Sequence, residues 1–137
     1  MKIQLFFTKS LGNIATTVAI FLFFGGTSLL AQPGVQVYNT ANSGLPDNSV
    51  WSVATAADGR VWMGTDWGLA SFDGSNWVVY QTTNSGLPND AVKSVMVGDS
   101  NDLWVGTHIG GLAHLQGATW TVYNIGNSAI PANHVRC

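Results

Sequence analysis

The stretch "NSGLPDNSVWSVATAADGRVWMGTDWGLASFDGSNWVVY", Asn42 to Tyr80, decides the fold because the chain says it twice. "NSGLP" returns letter for letter at Asn84 to Pro88, and a looser copy, "NSAIP", stands at Asn127 to Pro131. Tyr38 and Tyr80, and Trp62 and Trp104, are each 42 residues apart. From Gly68 and Gly111 onward the spacing becomes 43, as it is for Trp77 and Trp120 and for Tyr80 and Tyr123. One residue has been inserted where "TDWGLA" becomes "THIGGLA". A loop absorbs such an insertion without disturbing the elements on either side, and a period of this length marks a repeat architecture.

Inside one unit the grammar is β throughout. "VWSVATA" (Val50 to Ala56) reads as a strand, "DG" at Asp58–Gly59 as a hairpin turn, and "VWMGT" (Val61 to Thr65) as the returning strand. "LASF" (Leu69 to Phe72) and "WVVYQ" (Trp77 to Gln81) supply a third and a fourth. No helical periodicity is sustained after residue 31. Four short antiparallel strands per unit predict an all-β fold, a β-propeller of four-stranded blades. "NSGLP" is then the connector between blades. Gly44 and Gly86 supply unusual dihedrals, Pro46 and Pro88 stop the strand, and Leu45 and Leu87 plug the gap between neighbours. The units span about 42–83 and 84–126, with a partial third at 127–137.

The first 31 residues read differently. Lys2 and Lys9 precede the apolar run Ile14 to Phe24, and "GGTSLLAQ" then supplies small residues. This predicts a signal-peptide helix over 1–31, cleaved after Ala31, with the blades in 32–137 and an exported location, periplasmic or extracellular. An apolar run of that length is short for a spanning helix. Contact with a membrane is expected only through this leader or an anchor elsewhere. The segment after the leader carries Arg60, Lys93 and Arg136 against seven Asp, a net charge of −4, which excludes a basic nucleic-acid surface. Cys137 is the one cysteine, so no internal disulfide forms.

Enzyme chemistry finds little support. The Asp residues stand mostly in turns, where they bend or cap the backbone. His108, His114 and His134 lack zinc-ligand spacing, and "GDSND" (Gly98 to Asp102) lacks the length and terminal Glu of a calcium loop. Neither a "GxSxG" nucleophile turn nor a phosphate loop occurs. No metal and no cofactor are expected.

"SGLPDNSVWSVATAADGRVWMGTDWGLASFDG" resembles the two-component regulator propeller repeat, which reads approximately "GLP…V…I…D…G…LW.GT..GL". The second unit matches through "SGLPNDAVKSV", "LWVGT" and "GGLAHL", and departs at "GDSNDLW". The resemblance implies an exported sensor-type propeller of Bacteroidetes-like bacteria, feeding a histidine kinase and often sensing glycans. Members with a structural or protein-interaction role in secreted or cell-surface proteins form the alternative. The WD-repeat pairs are missing, and "SFDGSNW" is one residue short of an Asp-box.

Two kinds of position follow. Trp62, Trp104, Trp77, Trp120, Tyr80 and Tyr123 recur in both units, and recurrence assigns them to the core between blades rather than to sugar platforms. Positions that differ between units are the candidate ligand contacts. Trp51 corresponds to Lys93 and then to Arg136; Asp66 and Trp67 correspond to His108 and Ile109; Ser71 corresponds to His114. Trp51, Lys93, Asp66, Trp67 and His108 are the candidate site, a Trp beside a carboxylate being a carbohydrate-type contact. The same loops also read as ordinary variable surface. A closed propeller takes roughly 4–8 blades. About two blades plus stubs are spelled out here, so the remaining blades are the expected partner, supplied by further sequence or by other copies.

Overall fold

A computed structural model describes residues 4–8, 17–21, 35–100 and 102–136. Two four-stranded antiparallel sheets carry the two repeat units. The first runs β4 (Val50–Thr55), β5 (Val61–Thr65), β6 (Gly68–Phe72) and β7 (Trp77–Tyr80) in that order. The second runs β8 (Val92–Val97), β9 (Leu103–Thr107), β10 (Leu112–Gln116) and β11 (Thr119–Tyr123). Each strand expected in the first unit is present, to within a residue or two at its ends. Gly59 has φ +85°, the left-handed geometry that the tight turn between β4 and β5 requires.

The sheets stack by their faces. Side chains alternate along β5, so Trp62 faces the second sheet while Val61 and Met63 face away from it. Trp62 and Leu69 meet Leu87, Val92, Val95, Leu103, Val105, Ala113 and Leu115 in one core between the sheets. The opposite face of the first sheet buries Met63, Ala70 and Phe72 with Leu45 of the connector. The strands β4 and β8 come closest across the gap, where Ser52 Oγ accepts the Val95 N–H at 3.0 Å. Close approach needs small residues. A Cβ on Gly64 would lie 2.6 Å from Val92 Cγ1, and one on Gly106 2.8 Å from Val135 Cγ1.

The connector is a hydrogen-bonded template used three times. Asn42, Asn84 and Asn127 each accept a backbone N–H, from Asn39, Gln81 and Asn124, at 2.8 Å. The same amides donate back to Val37, Val79 and Val122 carbonyls at 2.9–3.0 Å. Ser43, Ser85 and Ser128 cap the carbonyls of Asn39, Gln81 and Asn124. Asn48, Asp90 and Asn133 accept the N–H groups of Thr40, Thr82 and Ile125. Leu45 and Leu87 are buried, as the plug role requires. Gly44 and Gly86 act otherwise than expected, for neither adopts positive φ. A Cβ on Gly44 would stand 2.7 Å from Trp77 Cγ, and one on Gly86 2.7 Å from Trp120 Cγ. They are glycines because an indole lies on them.

The leader departs from expectation. Where a signal-peptide helix was expected, β1 (Gln4–Thr8) and β2 (Thr17–Phe21) are strands, and β1 pairs with β3 (Val35–Val37) in the order β2-β1-β3. Two properties favour this: the β-branched Thr17, Val18 and Ile20, and an edge on β3 with backbone groups to satisfy. The expected cleavage point at Ala31 lies outside the described residues.

Candidate functional site

The site begins with two irregularities in register. Val50 pairs with Thr65 and Ser52 with Gly64, leaving Trp51 between them; Val92 pairs with Thr107 and Ser94 with Gly106, leaving Lys93 between them. Trp51 and Lys93 therefore sit on matching β-bulges at the start of β4 and β8. A bulge re-aims the side chain it carries, which is how strands present groups to a site. Arg136 holds the same repeat position in the third copy. Backbone bonds from Val135 N–H to Thr107 O and from Gly111 N–H to Asn133 O hold its segment against the second sheet.

Three of the five expected contacts come together. Lys93 Nζ lies 2.5 Å from Asp66 Oδ1 and 3.9 Å from the centre of the Trp51 ring. Asp66 leans out of the β5–β6 loop, whose shape is set by Thr65: its buried hydroxyl donates to Gly68 O and accepts the Trp67 N–H. Trp67 is not part of the group. Its side chain is 62% exposed, and its carbonyl accepts from Gln81.

His108 joins a different set. Its Nδ1 lies 3.3 Å from His134 Nε2, with the rings edge to face, and Arg136 Nε donates to that same His134 nitrogen at 2.7 Å. Partial desolvation, and then the charges of Arg136, His108 and Lys93, hold the His134 imidazole below its ordinary pKa. Sequence reasoning left His134 and Arg136 out of the site. The signal was present, since Arg136 aligns with Trp51 and Lys93. Trp51, Lys93 and Arg136 line one open groove of about 550 Å³, with Ser52, Ser94 and Met96 beside them.

The recurring aromatics are packed. Trp62 is buried, 5.6 Å from Tyr80. Trp77 stacks on Phe72 at 4.6 Å, and Trp120 lies 6.1 Å from Tyr80. Trp104 is half-buried, stacked on His114 at 4.0 Å and on Tyr123 at 6.0 Å. His114 Nε2 lies 2.5 Å from Asp102 Oδ2, and this bond holds the Asp102 carboxyl below its usual range. Among the described residues no group of three or more His, Cys, Asp or Glu is placed to hold a metal ion.

Residues 44–67 match the family model for the two component regulator propeller. That stretch is similar to a two component regulator propeller repeat. That repeat covers the connector, the bulged β4, the turn at Gly59, β5 and the loop bearing Asp66 and Trp67, so three of the five candidate contacts stand inside it. The fold is also similar to part of the extracellular domain of the hybrid two component system BT3049 from B. thetaiotaomicron, at 22% identity and a TM-score of 0.63 over 76% of this chain. PorZ, a bacterial surface component of the type-IX secretion system of Porphyromonas gingivalis, is similar at 20% identity and a TM-score of 0.57 over 72% of this chain. The chain spans 15% and 16% of those two structures' own lengths. No curated protein sequence matches it. The likeness shows an all-β arrangement of antiparallel propeller blades.

Proposed function

We propose that this is a non-enzymatic, exported propeller module that binds a ligand at the bulged ends of its inner strands, as the sensing part of a two-component regulator. One observation carries the reading. Neighbouring blades place Trp51 and Lys93 on matching bulges, and Asp66 reaches across to join them. A site shared between blades is a natural ligand position, since an aromatic plate with an ion pair offers both an apolar face and fixed hydrogen-bonding groups. A glycan fits that chemistry. Export is supported by the similar folds, which belong to an extracellular domain and to a surface component. The carboxylates support a binding role too, since most are engaged locally: Asp47, Asp58 and Asp73 by backbone N–H groups, Asp66 by Lys93, Asp90 by Thr82 and Asp102 by His114. The remaining blades, from further sequence or other copies, are the proposed partner.

The test is calorimetry of the chain against neutral and acidic oligosaccharides, with Trp51→Ala beside it. Binding that Trp51→Ala weakens about tenfold or more, about 1.4 kcal/mol, supports the site, because the ring supplies its apolar face. Binding that survives both Trp51→Ala and Lys93→Ala contradicts it. The similarity to a secretion-system surface component favours a second reading, a structural or interaction propeller. Coding sequence beyond Cys137 distinguishes them: a membrane helix and kinase support sensing, and a sorting or adhesion domain supports the second.

A further inference from the structure

We propose that the groove takes an acidic sugar, a uronate- or sulfate-bearing oligosaccharide, with Arg136 as the residue that selects for the negative charge. The inference rests on the ligand-binding reading above and narrows its substrate class. Trp51, Lys93 and Arg136 hold one repeat position in three successive copies and line one groove, so an aromatic plate and two cations lie along it. The charges there do not cancel. Asp66 gives Oδ1 to Lys93, and no described carboxylate pairs with Arg136. Arg136 spends Nε on His134, which leaves both Nη groups without a partner among the described residues. His134, as the acceptor of that bond, adds no charge of its own.

A guanidinium with both Nη groups available is a bidentate receptor for a carboxylate or sulfate. A neutral ligand would leave that fork to water. A sugar rather than a peptide fits the rest of the groove. Trp51 is 41% exposed as a residue although an ammonium sits over one face of its ring, and a pyranose presents flat C–H surface to such a plate. Sugar hydroxyls both donate and accept, so they can meet the Lys93 ammonium and the hydroxyls of Ser52 and Ser94, which also line the groove.

The experiment is calorimetry of the full chain with short oligogalacturonates, alginate and chondroitin sulfate fragments, each beside its carboxyl-reduced or desulfated form, and with polyglutamate. At least one acidic sugar is expected to bind about tenfold or more tighter than its neutral form. Arg136→Gln should remove most of that preference, and Arg136→Lys should keep part of it. Equal binding of acidic and neutral forms, or an Arg136→Gln variant that keeps the preference, overturns this inference and leaves the groove a glycan site. Polyglutamate binding as tightly as any acidic sugar overturns it in favour of a peptide. A chain with native β circular dichroism that binds no sugar of either kind overturns both this inference and the function proposed above.

Discussion

Gly86 lies directly against Trp120, as Gly44 lies against Trp77 in the preceding unit. The contact ties each connector to the last strand of the blade it introduces. A methyl at either glycine must displace the first atoms of an indole side chain, which cannot swing away without leaving the blade. Gly86→Ala is therefore expected to cost about 1–3 kcal/mol, the range for overpacking a well-filled site. Urea unfolding checks this, and a change under about 0.5 kcal/mol would show that the contact relaxes freely.

The two tryptophans Trp62 and Trp67 should respond oppositely to truncation. Trp62 is buried between the sheets and Trp67 is largely exposed. Trp62→Ala is expected to cost about 3–5 kcal/mol, and Trp67→Ala to stay within about 0.5 kcal/mol. Equal losses in melting temperature would contradict the division into core and loop.

Asn84 separates the two halves of the connector template. Its Oδ1 accepts the Gln81 N–H and its Nδ2 donates to Val79 O. Asn84→Asp keeps the acceptor and loses the donor; Asn84→Ala loses both. With each bond worth about 0.5–1.5 kcal/mol net, the alanine variant should lose roughly twice what the aspartate variant loses. Denaturation midpoints that rank them in reverse would assign the role of Asn84 elsewhere.

His134 gives a pH signature. Its folded pKa lies below the ordinary 6.5, through desolvation first and then the charges of Arg136, His108 and Lys93. The unfolded chain thus takes up this proton first. The His134 contribution is fully present above about 6.5 and is lost as pH falls toward the lowered folded value. An NMR titration should place the His134 midpoint below 6.5, and Arg136→Gln should raise it; a parent midpoint at or above 6.5 would contradict the arrangement.

The strand plan was legible because period, turn residues and alternation agree. "DG" at Asp58–Gly59 and the copies of Trp62 and Tyr80 fix the strands of the first unit to within a residue or two. Trp51, Lys93 and Asp66 were legible as positions where the copies differ, but the bulges that turn Trp51 and Lys93 outward leave no mark in composition. His134 and Arg136 were missed because the third copy was read as a stub. Gly44 and Gly86 were read through dihedral freedom, whereas the cause is a neighbour about 33 residues away, Trp77 or Trp120, visible only in three dimensions. The leader misled because an apolar run with β-branched residues has no period that separates helix from strand.

Successive four-stranded sheets stack face to face, so that their inner strands jointly build the groove. Methyl-edited NOE spectroscopy on the chain probes this stacking. Cross-peaks are expected from the Trp62 indole to the methyls of Leu87 and Val95, residues of the next unit. Their absence, with the antiparallel pairing inside each sheet intact, would contradict it.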